Sequence, residues 1–274
     1  MYYGLCVNMT PEADRLAGMR LAPVLKEMGY DYIDVPTNRL SILSDAEFAE
    51  GKRILEDCGL ECRSCNDFMP MRFRGVGEEL TPRKQLEEYF RRAFFRIGQN
   101  GLGARVVVFG SPWCRTCPAG FPHETAFRQL AEFLGNIGEI ARQEGLMIGV
   151  ENNNRSETNM LNRLADIGRM TEQVRLPNVG ILCDYYHLRF EEESPDEPLK
   201  YPGKIFHTHI AKLEKRAYVT DLDGEMPYMA EYAKALRAIG YEGGISTEAK
   251  HDPGWKWEEE AAENLRMLKL VFED

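Results

Sequence analysis

From end to end the chain alternates between short apolar runs rich in β-formers and longer amphipathic stretches. Eight runs read as strands: YYGLCVN from Tyr2, YDYIDVP from Tyr30, LECRSCN from Leu60 and RVVVFG from Arg105, then LMIGVEN from Leu146, VGILCDY from Val179, IFHTHIA from Ile205 and GGISTEA from Gly243. Unbroken apolar cores such as VVVF suit parallel strands covered on both faces. Between the strands, apolar residues recur at helical spacing. Over 82–99, Leu86, Tyr89, Phe90, Ala93, Phe94 and Ile97 share one stripe, with Thr81 expected as N-cap before a first-turn Pro82. Residues 124–143 repeat the pattern with Phe127, Leu130, Ala131, Leu134 and Ile137. A last helix, about 255–272, carries Ala261, Leu265, Leu268 and Val271. Gly29, Gly59, Gly103, Gly145, Pro177, Gly203 and Gly240 stand where helices hand over to strands.

Strands that alternate with helices build a parallel sheet, and eight such units close it into a (β/α)8 TIM barrel. The 274 residues divide into units of about 34 residues each. Little chain is left for anything else, so one TIM-barrel domain over 1–274 is expected. An open doubly wound sheet is the rival, but no Gly-x-Gly-x-x-Gly loop follows the first strand. The stretch EEESPDEPLKYPG after Asp184 reads mostly as loop.

Charge and cysteine usage narrow the partners. With 34 basic and 44 acidic side chains the net charge is −10, which leaves no basic surplus for nucleic acid or an anionic membrane. No apolar run approaches the ~18 residues that cross a bilayer. The opening MYYGLCVNMTPEADR lacks the basic and apolar regions of a signal peptide. Seven cysteines, an odd number without a secretory signal, predict a reducing, cytoplasmic setting. Two Cys-x-x-Cys pairs occur. Cys62 and Cys65 fall in a predicted strand, where a separation of three puts side chains on opposite faces. Small buried thiols are the simpler reading there, and a zinc or redox pair the alternative. Cys114 and Cys117, in WCRTCP, stay open because that loop borders the expected active site.

TIM barrels place chemistry at the C-terminal ends of their strands. Those ends carry Glu151 in GVENNN, Asp184 and His187 in LCDYYHL, His209 in FHTHIA and Glu248 in ISTEA. A charge directly after an apolar strand costs several kcal/mol to desolvate unless it is paired or metal-bound. Three carboxylates and one imidazole form a mainly oxygen site suited to one divalent ion, Mn, Mg or Co ahead of Zn. A buried ion-pair network without metal is the alternative. Three negative charges against two positive leave one carboxylate with basicity to spare for proton transfer. His207 and His209 point to the same barrel face in different layers. His209 is nearer the strand end and is the better ligand, while His207 reads as a hydrogen-bonded interior residue. His123 and His251 are expected in solvated loops.

The spacings Glu151-x5-Glu157 and Asp184-x2-His187, His209 ahead of a basic cluster, and the tail YEGGISTE ending at Glu248 resemble the xylose isomerase-like TIM-barrel superfamily. More narrowly they are similar to its sugar phosphate isomerase/epimerase group, which includes D-tagatose and D-psicose 3-epimerases. The resemblance implies Glu151, Asp184, His209 and Glu248 as metal ligands, with Glu151 and Glu248 also exchanging protons with the substrate carbon from opposite faces. It implies Glu157 and His187 as groups that hydrogen-bond sugar oxygens. The group's arginine six residues beyond the histidine ligand is met here by Lys215, followed by Arg216. Its acid three residues beyond that histidine is replaced by Lys212. The implied substrate is a small keto-sugar or derivative, and barrels of this group often pair into homo-oligomers.

Such a site polarises a ketone, acidifies the neighbouring C–H and stabilises the enediolate left when a carboxylate takes the proton. Two carboxylates on opposite faces give epimerisation, and one group shuttling the proton gives isomerisation. A leaving group β to the carbanion gives elimination, so a lyase acting on 3-keto-glycosides or keto-inositols is the runner-up. An abasic-site endonuclease needs further ligands and a basic face, and a non-catalytic sugar-binding barrel completes the alternatives. Loops add Trp113, and Trp255 with Trp257, as stacking walls for a sugar or as packing residues. Arg72 and Arg74 serve a phosphate or a solvated loop face. Asn152, Asn153 and Asn154 bond a polyol or shape the turn.

Overall fold

The computed structural model describes residues 1–7 and 14–273. Eight strands are present: β1 (Tyr2–Cys6), β2 (Tyr32–Asp34), β3 (Glu61–Cys65), β4 (Val106–Phe109), β5 (Met147–Glu151), β6 (Val179–Asp184), β7 (Ile205–Ile210) and β8 (Gly244–Thr247). Each pairs in parallel with its sequence neighbours, and β8 pairs with β1 to close the barrel. Every expected strand therefore forms. Asn8, the last residue expected in the first of them, lies outside the described residues.

The expected helices also form, as Arg83–Ile97, His123–Gln143 and Trp257–Phe272. Their apolar stripes pack on the outer face of the barrel, where Phe68, Phe90, Phe94, Phe109 and Phe133 make one aromatic cluster. Gly29 and Gly59 end their helices in the left-handed conformation at φ 91° and 66°, which glycine adopts without a Cβ penalty. The unit after Asp184 is indeed short, a helix over Tyr185–Phe190 followed by a 3-10 turn at Glu197–Lys200.

Local expectations need three corrections. The helix at Arg83 has Pro82, not Thr81, at its N-cap position. A residue before proline is held extended, so Thr81 sits one step too early and its Oγ1 accepts the Arg74 N–H at 2.8 Å instead. His123 opens a helix, with Nε2 3.1 Å from Asn159 O. Cys62 and Cys65 share a face, their sulfurs 3.7 Å apart. The cause is a bulge: Ile33 pairs with Cys62 while Asp34 pairs with Ser64, so Arg63 is an extra residue that resets the alternation. Both thiols point into the outer core, and Ser64 turns inward to donate to Asp34 at 2.5 Å. All seven cysteines are free. No helix among the described residues is long and apolar enough to cross a membrane.

The barrel interior is unusually polar towards its C-terminal end. Gly4 and Gly244 leave room for the Tyr32 ring, whose hydroxyl meets Ser246 Oγ at 2.8 Å. Above that layer the strand ends converge on charged groups.

Candidate metal centre and substrate cavity

The strand ends of β5, β6, β7 and the residue after β8 bring Glu151, Asp184, His209 and Glu248 together, with one ligand atom of each within 4.8 Å of the others. His209 Nδ1 lies 3.3 Å from Glu151 Oε1, 3.4 Å from Glu248 Oε2 and 4.0 Å from Asp184 Oδ2. Glu151, Asp184 and His209 are buried, at 4%, 1% and 0% exposure. Gly110 makes the approach of Glu151 possible, because a Cβ there would collide with its Oε2.

Glu151 Oε1 and His209 Nδ1 are both buried and neither makes a hydrogen bond. Orphaned polar atoms in such a place are costly, and oxygens and an imidazole nitrogen clustered this closely match the donor set of a divalent ion at ~2.0–2.2 Å bond lengths. The residues present therefore fit a divalent metal.

The four groups differ in electrostatics. Burial and the neighbouring Glu151 push Asp184 well above the usual carboxylate range. Burial also opposes the charge of Glu248, but Arg216 and His209 outweigh it and hold that carboxyl well below its ordinary value. Glu151 is lowered in the same way, against burial, by His209. His209 itself is raised despite burial, by Cys6, Glu248 and Asp34.

The spacing of Asp184 and His187 has a local cause. Asp184 is the N-cap of the helix Tyr185–Phe190, and its Oδ1 accepts the His187 N–H at 2.9 Å. This is the third residue into the helix, so the cap places His187 directly over the site. The Asn154 N–H donates to His187 Nδ1 at 3.1 Å, while Nε2 lies 3.1 Å from Asn153 Nδ2 and 3.9 Å from Glu157 Oε2. Burial lowers His187 to about 4, so the ring is neutral at neutral pH.

Arg216 spans the mouth. Its Nη2 pairs with Glu248 Oε2 and its Nη1 with Glu157 Oε1 at 3.2 Å. Lys215 turns away, 81% exposed and 3.6 Å from Glu214. The Lys212 ammonium is engaged by Asp221 at 2.6 Å.

A cavity of ≈210 Å³ opens beside the cluster, lined among others by Asn66, Asp67, Ser111, Trp113, Glu157 and Arg216. Trp113 thus stands where a sugar-facing wall was expected. Trp255 is 42% exposed on its loop and lines no part of it. Arg72 and Arg74 are absent from the lining too, and the Arg74 guanidinium bonds Met71 O and Phe73 O. Cys114 and Cys117 pack into the core behind Trp113, where burial pushes the Cys114 thiol up to about 12. The asparagine run divides its work: Asn152 accepts the Asp184 N–H at 2.9 Å, Asn154 holds His187, and Asn153 lines the cavity.

Sequence reasoning passed over a second layer. Asp34, at the end of β2 and fully buried, lies 3.8 Å from His209 Nε2 and 3.7 Å from His207 Nε2. It also accepts from Ser64 Oγ and the Asn66 N–H. His207 bonds Ser246 Oγ at 2.9 Å, as an interior histidine. The signal for Asp34 was present: an acid closes the YID strand just as Asp184 closes β6. Arg115, fully buried under Glu151, donates to Glu151 O at 2.7 Å and pairs with Asn153. No sequence pattern pointed to it.

The profile of the xylose isomerase-like TIM barrel matches residues 23–271, and the chain belongs to that family. Among curated relatives, the D-psicose 3-epimerase of Agrobacterium fabrum (strain C58) is 23% identical over 224 residues, covering 81% of this chain and 75% of the relative. The 3-dehydro-D-guloside 4-epimerase of Escherichia coli (strain K12) is 25% identical over 233 residues, covering 82% and 84%. A crystal structure of D-psicose 3-epimerase in the presence of D-fructose superposes with a TM-score of 0.84 at 20% identity over 100% of both chains. The 3-keto-D-glucoside 4-epimerase of Escherichia coli gives 0.79 at 20% identity, over 98% of this chain and 99% of the other. These relatives agree with the expected enzyme class, sugar isomerases and epimerases.

Proposed function

We propose that the protein is a divalent-metal-dependent epimerase or isomerase of keto-sugars, in which Glu151, Asp184, His209 and Glu248 hold the ion. The observation that carries this reading is the pair of orphaned buried atoms, Glu151 Oε1 and His209 Nδ1, at the centre of an acidic cluster. The relatives named for epimerisation at sugar carbons 3 and 4 support it.

A divalent ion held there supplies Lewis-acid polarisation of a substrate carbonyl. The chain provides the rest. Glu151 ends β5 and Glu248 follows β8, with β6 and β7 between those strands, so they face a bound sugar from two directions. One removes the proton from the carbon beside the carbonyl, and the other returns a proton from the opposite face, which inverts that centre. Glu157 accepts from a hydroxyl and Trp113 walls the cavity, while the buried, neutral His187 stands behind them in contact with Asn153 and Asn154. Arg216 positions Glu157 and Glu248 at once. Lys215 and Trp255 have no part in this scheme, since neither lines the cavity.

The test is solvent deuterium exchange. Ketoses and 3-keto-glycosides incubated with enzyme in D2O should acquire deuterium beside the carbonyl and accumulate an epimer. Glu248→Gln should lose this exchange by at least about 10²-fold while its circular dichroism stays unchanged. Exchange retained in that variant would overturn the role of Glu248, and a β-elimination product would move the assignment to a lyase.

A further inference from the structure

Arg115 is a cation that the barrel buries against uncharged partners. It is 0% exposed. Its hydrogen bonds go to the Glu151 carbonyl oxygen at 2.7 Å and to Asn153 Oδ1, and its Nε meets no partner. The Phe109 ring centroid lies 5.7 Å from its Cζ. Burial lowers the guanidinium to about 10, opposed by Glu151, Cys114 and Glu157, so it stays charged at neutral pH. A charge held in this way is costly to desolvate. Its position is built by the local chain. After β4, Ser111 turns through left-handed backbone at φ 40°, and Pro112 opens the single helical turn Pro112–Arg115, which brings Arg115 to the end of the neighbouring strand β5.

The guanidinium decides which way the Asn153 carboxamide faces. Arginine only donates, so the amide presents Oδ1 to it and turns Nδ2 the other way. There Nδ2 lies 3.3 Å from Glu151 Oε2 and 3.1 Å from His187 Nε2. The two oxygens of Glu151 are thereby distinguished. Oε1 faces His209 Nδ1 and makes no hydrogen bond. Oε2 accepts from Asn153 and lies against Gly110, where a Cβ would strike it. Gly110 and Asn153 both line the cavity, so Oε2 is the oxygen on the cavity side. With no donor beneath it, the amide loses the contact that fixes this orientation.

We propose that Arg115 is a positioning residue for proton transfer: acting through Asn153 and the Glu151 carbonyl, it holds Glu151 with Oε1 toward the metal centre and Oε2 toward the substrate. This rests on the keto-sugar reading above and adds the buried group that sets the orientation of its base.

Three variants separate this role from packing. Asn153→Asp keeps an acceptor for Arg115 and removes only the donor to Glu151. Arg115→Met removes the charge, and Arg115→Lys keeps a buried donor. Each purified protein is read by solvent deuterium exchange into a ketose and by the visible absorption of its Co2+ form. In Asn153→Asp and Arg115→Met, kcat should fall about 50-fold, as for loss of one hydrogen bond to a charged group, with KM within about threefold of the wild type. Arg115→Lys should recover kcat to within about fivefold of the wild type. The Co2+ bands should change in Asn153→Asp, because a released Oε2 can turn to the ion and alter its coordination. Wild-type kcat in Asn153→Asp, or a loss in Arg115→Met that lysine does not repair, would overturn the proposal. A wild type without any exchange would sink the epimerase reading instead, and the Co2+ bands then decide the positioning role: bands unchanged in Asn153→Asp, or no Co2+ bound at all, would overturn it as well.

Discussion

His209 Nδ1 and Glu151 Oε1 face each other across 3.3 Å inside the protein, and neither makes a hydrogen bond. A divalent ion held between them would satisfy both at once. Protein stripped with a chelator should therefore gain thermal stability when Mn2+ or Co2+ is restored. A ligand at about 100 times its Kd contributes about 2.7 kcal/mol, a rise of roughly 5 °C for a chain of this size. His209→Ala should lose that rise. Equal melting curves with and without metal would count against the site.

Arg216 and Lys215 are neighbours in sequence with opposite fates. The guanidinium is held by Glu157 and Glu248, whereas the ammonium is solvated. Arg216→Ala should lower kcat/KM about 10²-fold, because it frees both carboxylates of the proposed site that it now holds. Lys215→Ala should stay within about twofold of the wild type. Steady-state kinetics on one ketose distinguishes them, and a larger loss in the lysine variant would reverse the assignment.

Asp34 lies behind His209, on the side away from Glu151, Asp184 and Glu248. A carboxylate there favours the tautomer with its proton on Nε2 and keeps the Nδ1 lone pair free for the ion. Asp34→Asn should weaken metal affinity about 10–100-fold in a chelator competition. Affinity equal to that of the wild type would show that Asp34 serves packing alone.

Glu193 couples stability to pH away from the cavity. Burial pushes its carboxyl from an ordinary 4.5 up to about 7, while its Oε1 accepts the Leu164 N–H at 3.2 Å. Between those two values the folded chain holds more protons at this site than the unfolded chain, so its contribution to stability falls as pH rises through that window. Glu193→Gln keeps the acceptor and removes the titration. It should be more stable than the wild type by about 1 kcal/mol at pH 8, with the gap closing below pH 4.5 in denaturant melts. A gap that is independent of pH would contradict this account.

Strand ends made much of the site legible in one dimension. Glu151 and Asp184 each close an apolar strand, His209 is the last but one residue of another and Glu248 follows a fourth, and a closed parallel barrel must bring such ends to one mouth. Residues whose meaning depends on a partner far along the chain were not legible. Arg115 reads as an ordinary loop arginine until Glu151 O and Asn153 are found above it. Cys62 and Cys65 were assigned to opposite faces because alternation assumes an unbroken strand, and the bulge at Arg63 is visible only in the pairing with β2. Lys215 had the expected spacing, yet the backbone turn presents Arg216.

By itself, then, the sequence determined the eight-unit alternation and the chemical types gathered at the strand ends, because periodicity and strand polarity act locally and repeat. Tertiary structure decided which neighbour faces the cavity, which polar atoms are left without partners, and which charges bias one another. Those properties arise from distances across the barrel, between residues such as Asp34 and His209 that no local pattern connects.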